Sequence, residues 1–308
     1  MELTNLNNSP RGLKWIENSC YIDVVLQSLF GPSKKNIFIK EILSANLNLD
    51  LRKNIPPLNL RKEIQNELYL IFLGIRGKIS KNLNISILRT ILKKCGKLPY
   101  NFCDNIMGDA GEFLSFLLSL FSISETAIKE IISFGTNDLI PIPLKTVEIN
   151  RFLDRNSNII VRIDPFLLMN IPLNLKVKLS NFLTIKEDSN ELEIPYQTNG
   201  IFYKRKIDLI RVIYSPVLIF YIDRVNPLTG KYIPVKIFPD TQIYLEESHR
   251  EIELTSIILY DNHHYTCIFK NSGLWYHYND MRTPQVILLG QELKKEMVEY
   301  MGTHFFYY

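Results

Sequence analysis

Residues 261–280, DNHHYTCIFKNSGLWYHYND, read as a β-hairpin. His264–Phe269 alternates as a strand, Lys270–Gly273 supplies turn residues, and Leu274–Asn279 returns. A four-residue turn sets the register: Ile268 faces Trp275, Thr266 faces His277 and His264 faces Asn279. Facing side chains start only ~5 Å apart. An amide opposite His264 fixes one ring nitrogen by a hydrogen bond and leaves the other free as a base. Around the hairpin the second half of the chain keeps the same character. Ile159–Ile163, Ile171–Val177, Ile201–Ile207, Ile210–Tyr214, Val217–Ile222, Val235–Ile237, Ile252–Leu259 and Thr303–Tyr308 are short, β-branched and aromatic, with turn residues between them.

The first half reads differently. Ile22, Val25, Leu26 and Leu29 follow the spacing of one helix face, with Ser19 ahead as an N-cap and Gly31-Pro32 as a stop. A second helix is expected over Leu58–Leu73. A third starts at Asp109, which with Glu112 forms a capping-box-like entry to the apolar run Phe113–Leu120. Helices first and mostly antiparallel strands after give an α+β class. No stretch reads as a hinge, so one domain with two lobes is expected over 1–308.

Composition sets limits on function. The 308 residues are 46% hydrophobic and 22% charged, which argues against disorder. A formal charge of +4 spread over short basic runs does not suit a nucleic-acid binder. The longest apolar runs are far below the ~20 residues of a membrane span. The four cysteines, Cys20, Cys95, Cys103 and Cys267, form no CxxC pair, so no zinc site or other cofactor is expected. Their small number points to a reducing, intracellular compartment.

Cys20 falls where the first helix begins. Helix N-terminal amides and the dipole stabilise a thiolate, so a lowered pKa is expected there. A buried small hydrophobe is the plainer reading. A nucleophile, a base and a group that orients the base are the parts of thiol catalysis. Cys20, His264 and Asn279 would supply them from opposite ends of the chain, as a Cys-His-Asn triad. His263 and His277 are rivals for the base. His263 points to the opposite face of any strand that holds both, and His277 faces only Thr266.

Six blocks, in order, resemble the ubiquitin-specific protease family. GLKWIENSCYIDVVLQSLF, from Gly12, resembles its cysteine box, G-L-x-N-x-G-N-T-C-Y-x-N-x-x-L-Q-x-L. GDAGEFLSFLL, from Gly108, resembles Q-D-A-x-E-F-L-x-x-L-L. SPVLIFYIDR, from Ser215, and KYIPVKIFPDTQIYL, from Lys231, resemble the P-x-x-L-x-x-x-x-x-R and K-x-x-x-x-V-x-F-P-x-x-L-x-L strands. HYTCIFKNSGLWYHYND is similar to the histidine box, and GTHFFYY to the terminal strand. The resemblance runs from about residue 12 to the end.

It implies a papain-like fold with a helical thumb (about 12–135), a reduced β fingers region (about 136–215) and an antiparallel β palm (about 216–308). It implies hydrolysis after the C-terminal Gly-Gly of ubiquitin, with ubiquitin, its chains or ubiquitinated proteins as partners. By motif position Cys20 is the nucleophile, His264 the base and Asn279 the third member, with Asp280 supporting them from behind. Asp109 and Glu112 match positions that line the channel for ubiquitin's basic tail, beside their capping role. Tyr265 either roofs that channel or packs on Tyr278.

Several positions depart from the pattern. Trp15 stands where many members carry an oxyanion-donating Asn, which leaves Asn18 as a candidate second donor beside the Cys20 amide. His263 replaces the Gly before the histidine, Gly108 replaces the Gln of Q-D-A, and the fingers lack CxxC pairs. A protease for another ubiquitin-like modifier would share these residues; a weakly active or inactive ubiquitin-binding scaffold would usually lose the Cys or the His, and here Cys20, His264 and Asn279 all remain. The richness in Ile, Asn and Lys is that of AT-rich genomes, such as those of large DNA viruses and intracellular bacteria.

Overall fold

The computed structural model describes residues 10–33, 37–44, 47, 56–79, 83–95, 102, 107–121, 218–222, 236–245, 249–261, 263–294, 298–299 and 301–308, with the backbone of short strands between 128 and 213. Among the described residues five helices come first: α1 Cys20–Phe30, α2 Ile37–Ser44, α3 Leu58–Ile75, α4 Ser86–Lys94 and α5 Ala110–Leu120. Strands follow as β1 Ile128–Phe134, β2 Ile140–Pro141, β3 Ile159–Asp164, β4 Leu167–Met169, β5 Val177–Lys178, β6 Ile194–Thr198, β7 Ile201–Arg205 and β8 Ile207–Ile213. The C-terminal part holds β9 Leu218–Ile222, β10 Ile237–Phe238, β11 Gln242–Leu245, β12 Arg250–Asp261, β13 His264–Asn271, β14 Leu274–Tyr278, β15 Val286–Gly290 and β16 Gly302–Tyr307. The α+β order is as the sequence reads. Helices α2 and α4 were not foreseen, and the strand expected at Ile171–Val177 lies, Val177 apart, outside the described residues.

The central element is an eight-stranded sheet in the order β15-β14-β13-β12-β16-β9-β4, with β11 also on β12. Its pairs are antiparallel except β4 with β9. Both faces are buried. Ile258, Cys267, Phe269, Tyr278 and Phe306 lie in the cluster that holds α1. Ile257, Leu259, Ile268, Trp275 and Phe305 lie in a second cluster on the other face. The period of two in a strand sends neighbours such as Phe305 and Phe306 to opposite sides.

Helix α1 packs against β13, β12, α5, α2 and α3. All eleven of its residues are buried, including Asp23, Gln27 and Ser28. The sequence suggests one apolar stripe; helices on the flank away from the sheet cover the rest. Strand β1, which the sequence reading leaves in the helical segment, pairs with β3 and β8. No helix among the described residues is long and apolar enough to cross a membrane.

Candidate active site

The loop before α1 is tightly constrained. Glu17 and Asn18 are both left-handed, with φ of 42° and 59°. Asn tolerates that region better than most residues, so Asn18 has a backbone reason to be there. Arg89, reaching from α4, fixes the loop by donating from Nη1 to the carbonyls of Ile16 (3.1 Å) and Glu17 (2.8 Å). Ser19 precedes α1 as expected, but its hydroxyl does not cap the helix. It accepts from the Ile16 amide at 2.9 Å and donates to the Asp23 carboxyl.

Cys20 is the first residue of α1 and is 4% exposed. Its pKa is not lowered, as its helix position suggested, but raised. Burial is the main cause. The backbone amides of Tyr265 and Tyr21 favour the thiolate, while the nearby carboxyls of Asp280 and Asp23 oppose it. A helix N-terminus contributes a fraction of a charge, and here desolvation outweighs it.

The other half of the site hangs from the β13–β14 hairpin. His264 Nε2 donates to Asn279 Oδ1 at 3.2 Å and lies 3.3 Å from Asp280 Oδ1. Asn279 is held in turn: its amide donates to the Gln285 carbonyl (2.9 Å), and its Oδ1 accepts from the Met281 amide (3.0 Å). Asp280 is 4% exposed.

The register differs from the one expected. Ile268 pairs with His277, Lys270 with Trp275 and Asn271 with Leu274. The loop is two residues, Ser272-Gly273, with φ of 50° and 80°, and not four. The shift is by two residues, so the parity of the faces survives. His264 and Asn279 are diagonal neighbours rather than facing ones, still within reach of each other.

The rival histidines are placed elsewhere. His277 is 5% exposed, and its pKa is lowered to about 4 by burial, then by Arg282 and His264. His263 has φ of 64° and its Nδ1 lies 3.3 Å from the Tyr260 hydroxyl. The backbone there keeps the left-handed form that the motif's glycine would take without strain.

Asp109 caps α5, its Oδ1 accepting from the Glu112 amide at 3.0 Å. Its Oδ2 accepts from the Tyr265 hydroxyl, also at 3.0 Å. The Tyr265 ring packs on Tyr260, with centroids 4.8 Å apart. Its amide at the Cys20 sulfur therefore links β13, α1 and the start of α5. Glu112 is exposed, and its pKa is raised by partial burial and then by Asp109. Trp15 is 43% exposed, and its amide donates to the Asp280 carbonyl at 3.4 Å.

Residues the sequence did not single out also stand here. Asp23 is a lone acid in an apolar helix, three residues after Cys20. Arg89 is buried behind the loop. His304, 1% exposed, approaches Gly111 and accepts or donates at Thr303 Oγ1 over 3.0 Å. Among the described residues no group of His, Cys, Asp or Glu is arranged to hold a metal ion.

No curated protein sequence matches the chain significantly. Solved structures with a similar fold include the SAGA deubiquitinase module Ubp8/Sgf11/Sus1/Sgf73 bound to monoubiquitin, with a TM-score of 0.68 at 16% identity. The same module bound to ubiquitin aldehyde gives 0.66 at 16% identity. Each match covers 100% of this chain and 71% of the other. The family model for ubiquitin carboxyl-terminal hydrolase matches residues 11–287, from the loop before Cys20 past the His264 hairpin. The chain belongs to the ubiquitin carboxyl-terminal hydrolase family, and is a cysteine peptidase of that kind.

Proposed function

We propose that this chain is a deubiquitinase that cleaves the bond after the C-terminal Gly-Gly of ubiquitin with Cys20, His264 and Asn279. The observation that carries the reading is the tethering of His264. Nε2 is committed to Asn279 and Asp280, so the neutral ring keeps Nδ1 as its basic nitrogen. Cys20 rests as a thiol. Its proton passes to His264 as the sulfur attacks the glycine carbonyl. The amide N–H of Cys20 and the side chain of Asn18 are the donors for the tetrahedral oxyanion. His264 then protonates the leaving lysine amine, which departs and leaves a thioester on Cys20. Water, deprotonated by His264, attacks the thioester. The thiol leaves with the proton from His264, and ubiquitin is released with a free carboxylate.

Both carboxylate oxygens of Asp109 are engaged within the fold. The acid presented to a basic tail is therefore Glu112, with Asp109 fixing the helix that carries it. Tyr265 positions that contact and supplies its amide to the sulfur.

The test is reaction with ubiquitin bearing a C-terminal electrophile, run beside SUMO and other modifier probes. A covalent adduct with the ubiquitin probe, absent in Cys20→Ala, is expected. An adduct with another modifier alone keeps the mechanism and replaces the substrate. Binding of ubiquitin without any adduct makes the chain a scaffold.

A further inference from the structure

The start of α5 is wedged between the neighbours of the two reacting groups. Gly108, just before the helix, lies against the Tyr21 ring, and Tyr21 follows Cys20. A Cβ at Gly108 would stand 2.7 Å from that ring. Asp109, the cap, accepts from the Tyr265 hydroxyl at 3.0 Å, and Tyr265 follows His264. The turn therefore spans from the helix of the nucleophile to the strand of the base. Gly111, one residue into the helix, meets a third group. A Cβ there would stand 2.9 Å from His304 Nε2 and 3.0 Å from Asp109 Oδ1.

His304 is fixed from several sides. It is 1% exposed and stands on β16, on the same face as Phe306, which is the face toward α1. Its ring stacks on that of Tyr221, its partner on β9, with centroids 4.6 Å apart and planes at 26°. Thr303 Oγ1 donates to the Ile258 carbonyl at 3.3 Å, so towards the ring it accepts, and His304 Nδ1–H donates to it at 3.0 Å. Burial lowers the pKa of the ring to about 4, against the pull of Asp109. The neutral ring with its proton on Nδ1 carries none on Nε2. Nε2 has no hydrogen-bond partner among the described residues. It faces the first turn of α5, where the helix end carries partial positive charge.

Resting on the hydrolase reading above, we infer that His304 is a positioning residue for the reaction: its ring, seated where Gly111 has no side chain, fixes the first turn of α5, and that turn holds Cys20 and His264 in register through Tyr21 and Tyr265. The first chemical step passes a proton between those two groups. A misplacement of about 1 Å can cost such a step two orders of magnitude. Away from this contact Ala suits a helix better than Gly, so a loss on Gly111→Ala reports the contact and not helix propensity.

Wild type, Gly111→Ala, His304→Asn and the double variant test this. Asn keeps a side-chain nitrogen near the place of Nδ1 and removes the part of the ring that meets Gly111. Two quantities are measured: kcat and KM on ubiquitin with a C-terminal fluorogenic amide, and the rate of Cys20 alkylation by iodoacetamide without substrate. Gly111→Ala should lose about tenfold or more in kcat. His304→Asn, which leaves a gap under the turn, should lose about fivefold. The added methyl has room in that gap, so the double variant should be no slower than His304→Asn. Alkylation should follow the same order, because His264 assists it only when held beside the thiol. A Gly111→Ala enzyme with wild-type kcat overturns the proposal, as does an equal loss from Gly111→Ala in both backgrounds. A raised KM with unchanged kcat also overturns it, since the turn would then serve only to bind the ubiquitin tail. Where a variant at 111 or 304 fails to fold, Thr303→Val decides. It releases Nδ1 and should lower kcat about threefold, and wild-type kcat in that variant overturns the proposal. The expected order of alkylation rates in a protein that cleaves no ubiquitin substrate upholds the placing of Cys20 by His304 and removes the hydrolase reading.

Discussion

Cys20 shows how little a residue's position along a helix says about its chemistry. The helix start suggested a prepared thiolate, but the pocket that buries the sulfur holds it as a thiol. A pKa above the ordinary value of 9.0 leaves under about one per cent thiolate at pH 7. Alkylation of Cys20 by iodoacetamide should therefore rise about tenfold per pH unit from 7 to 9 and show no plateau in that range. Mass-spectrometric rates at Cys20 check this, and a plateau below pH 8 would contradict it. His263 makes a similar point about the backbone. The residue departs from the motif, yet its φ of 64° retains what the motif's glycine provides. A left-handed conformation costs an L-residue about 1–2 kcal/mol, more with a β-branched side chain. His263 already bears that cost, so His263→Val should lower stability only by the further cost of the β-branch, up to about 1 kcal/mol, while His263→Gly should melt no lower than the wild type. Equal melting of the two variants would mean that the conformation is not imposed by the surroundings.

Among the elements, the β13–β14 hairpin separates what was legible in the sequence from what was not. Alternation identified the strands and the faces, and those depend only on parity. The turn length depends on two left-handed residues, Ser272 and Gly273, whose signature is weaker in Ser-Gly than in Asn-Gly. The expected register was therefore off by two, with the faces intact. Asp23 was less legible still: a period-based reading counts it as the polar side of α1, and only tertiary packing makes it buried. Helix α5 was readable at its start because a capping aspartate is a local signal. Gly273 offers a clean test of the hairpin. Nothing lies within 4 Å of where a Cβ would stand, so Gly273→Ala carries only the conformational cost of φ 80°. A loss of about 1 kcal/mol in a denaturant titration is expected, with kcat/KM unchanged because the turn is at the far end from His264 and Asn279. A loss of activity larger than the loss of stability would show that the turn sets the site's geometry.

At the scale of the whole molecule, the site is assembled by the sheet, which brings β13 and β16 from the end of the chain beneath α1 from its beginning. Strand β16 lies between β12 and β9 with all six residues buried. Phe306 enters the cluster that contains α1 and Cys20, and Phe305 enters the cluster on the opposite face. Truncating either ring to Ala removes a large buried side chain and leaves a cavity, at about 3–5 kcal/mol each. Side chains on opposite faces share few partners, so the two losses should add to about 6–10 kcal/mol. That is comparable with the whole stability of a typical domain, about 5–15 kcal/mol. Each single variant should still unfold cooperatively at a lower midpoint, and the double variant should show no cooperative transition. Activity should divide the two singles. Phe306→Ala loosens the floor under α1 and should lower kcat/KM several-fold at temperatures where it remains folded, whereas Phe305→Ala should leave it near the wild type. If the double variant were no less stable than either single, the two faces would not be independent cores. The sheet would then support Cys20 through one shared cluster rather than through the face that carries Phe306.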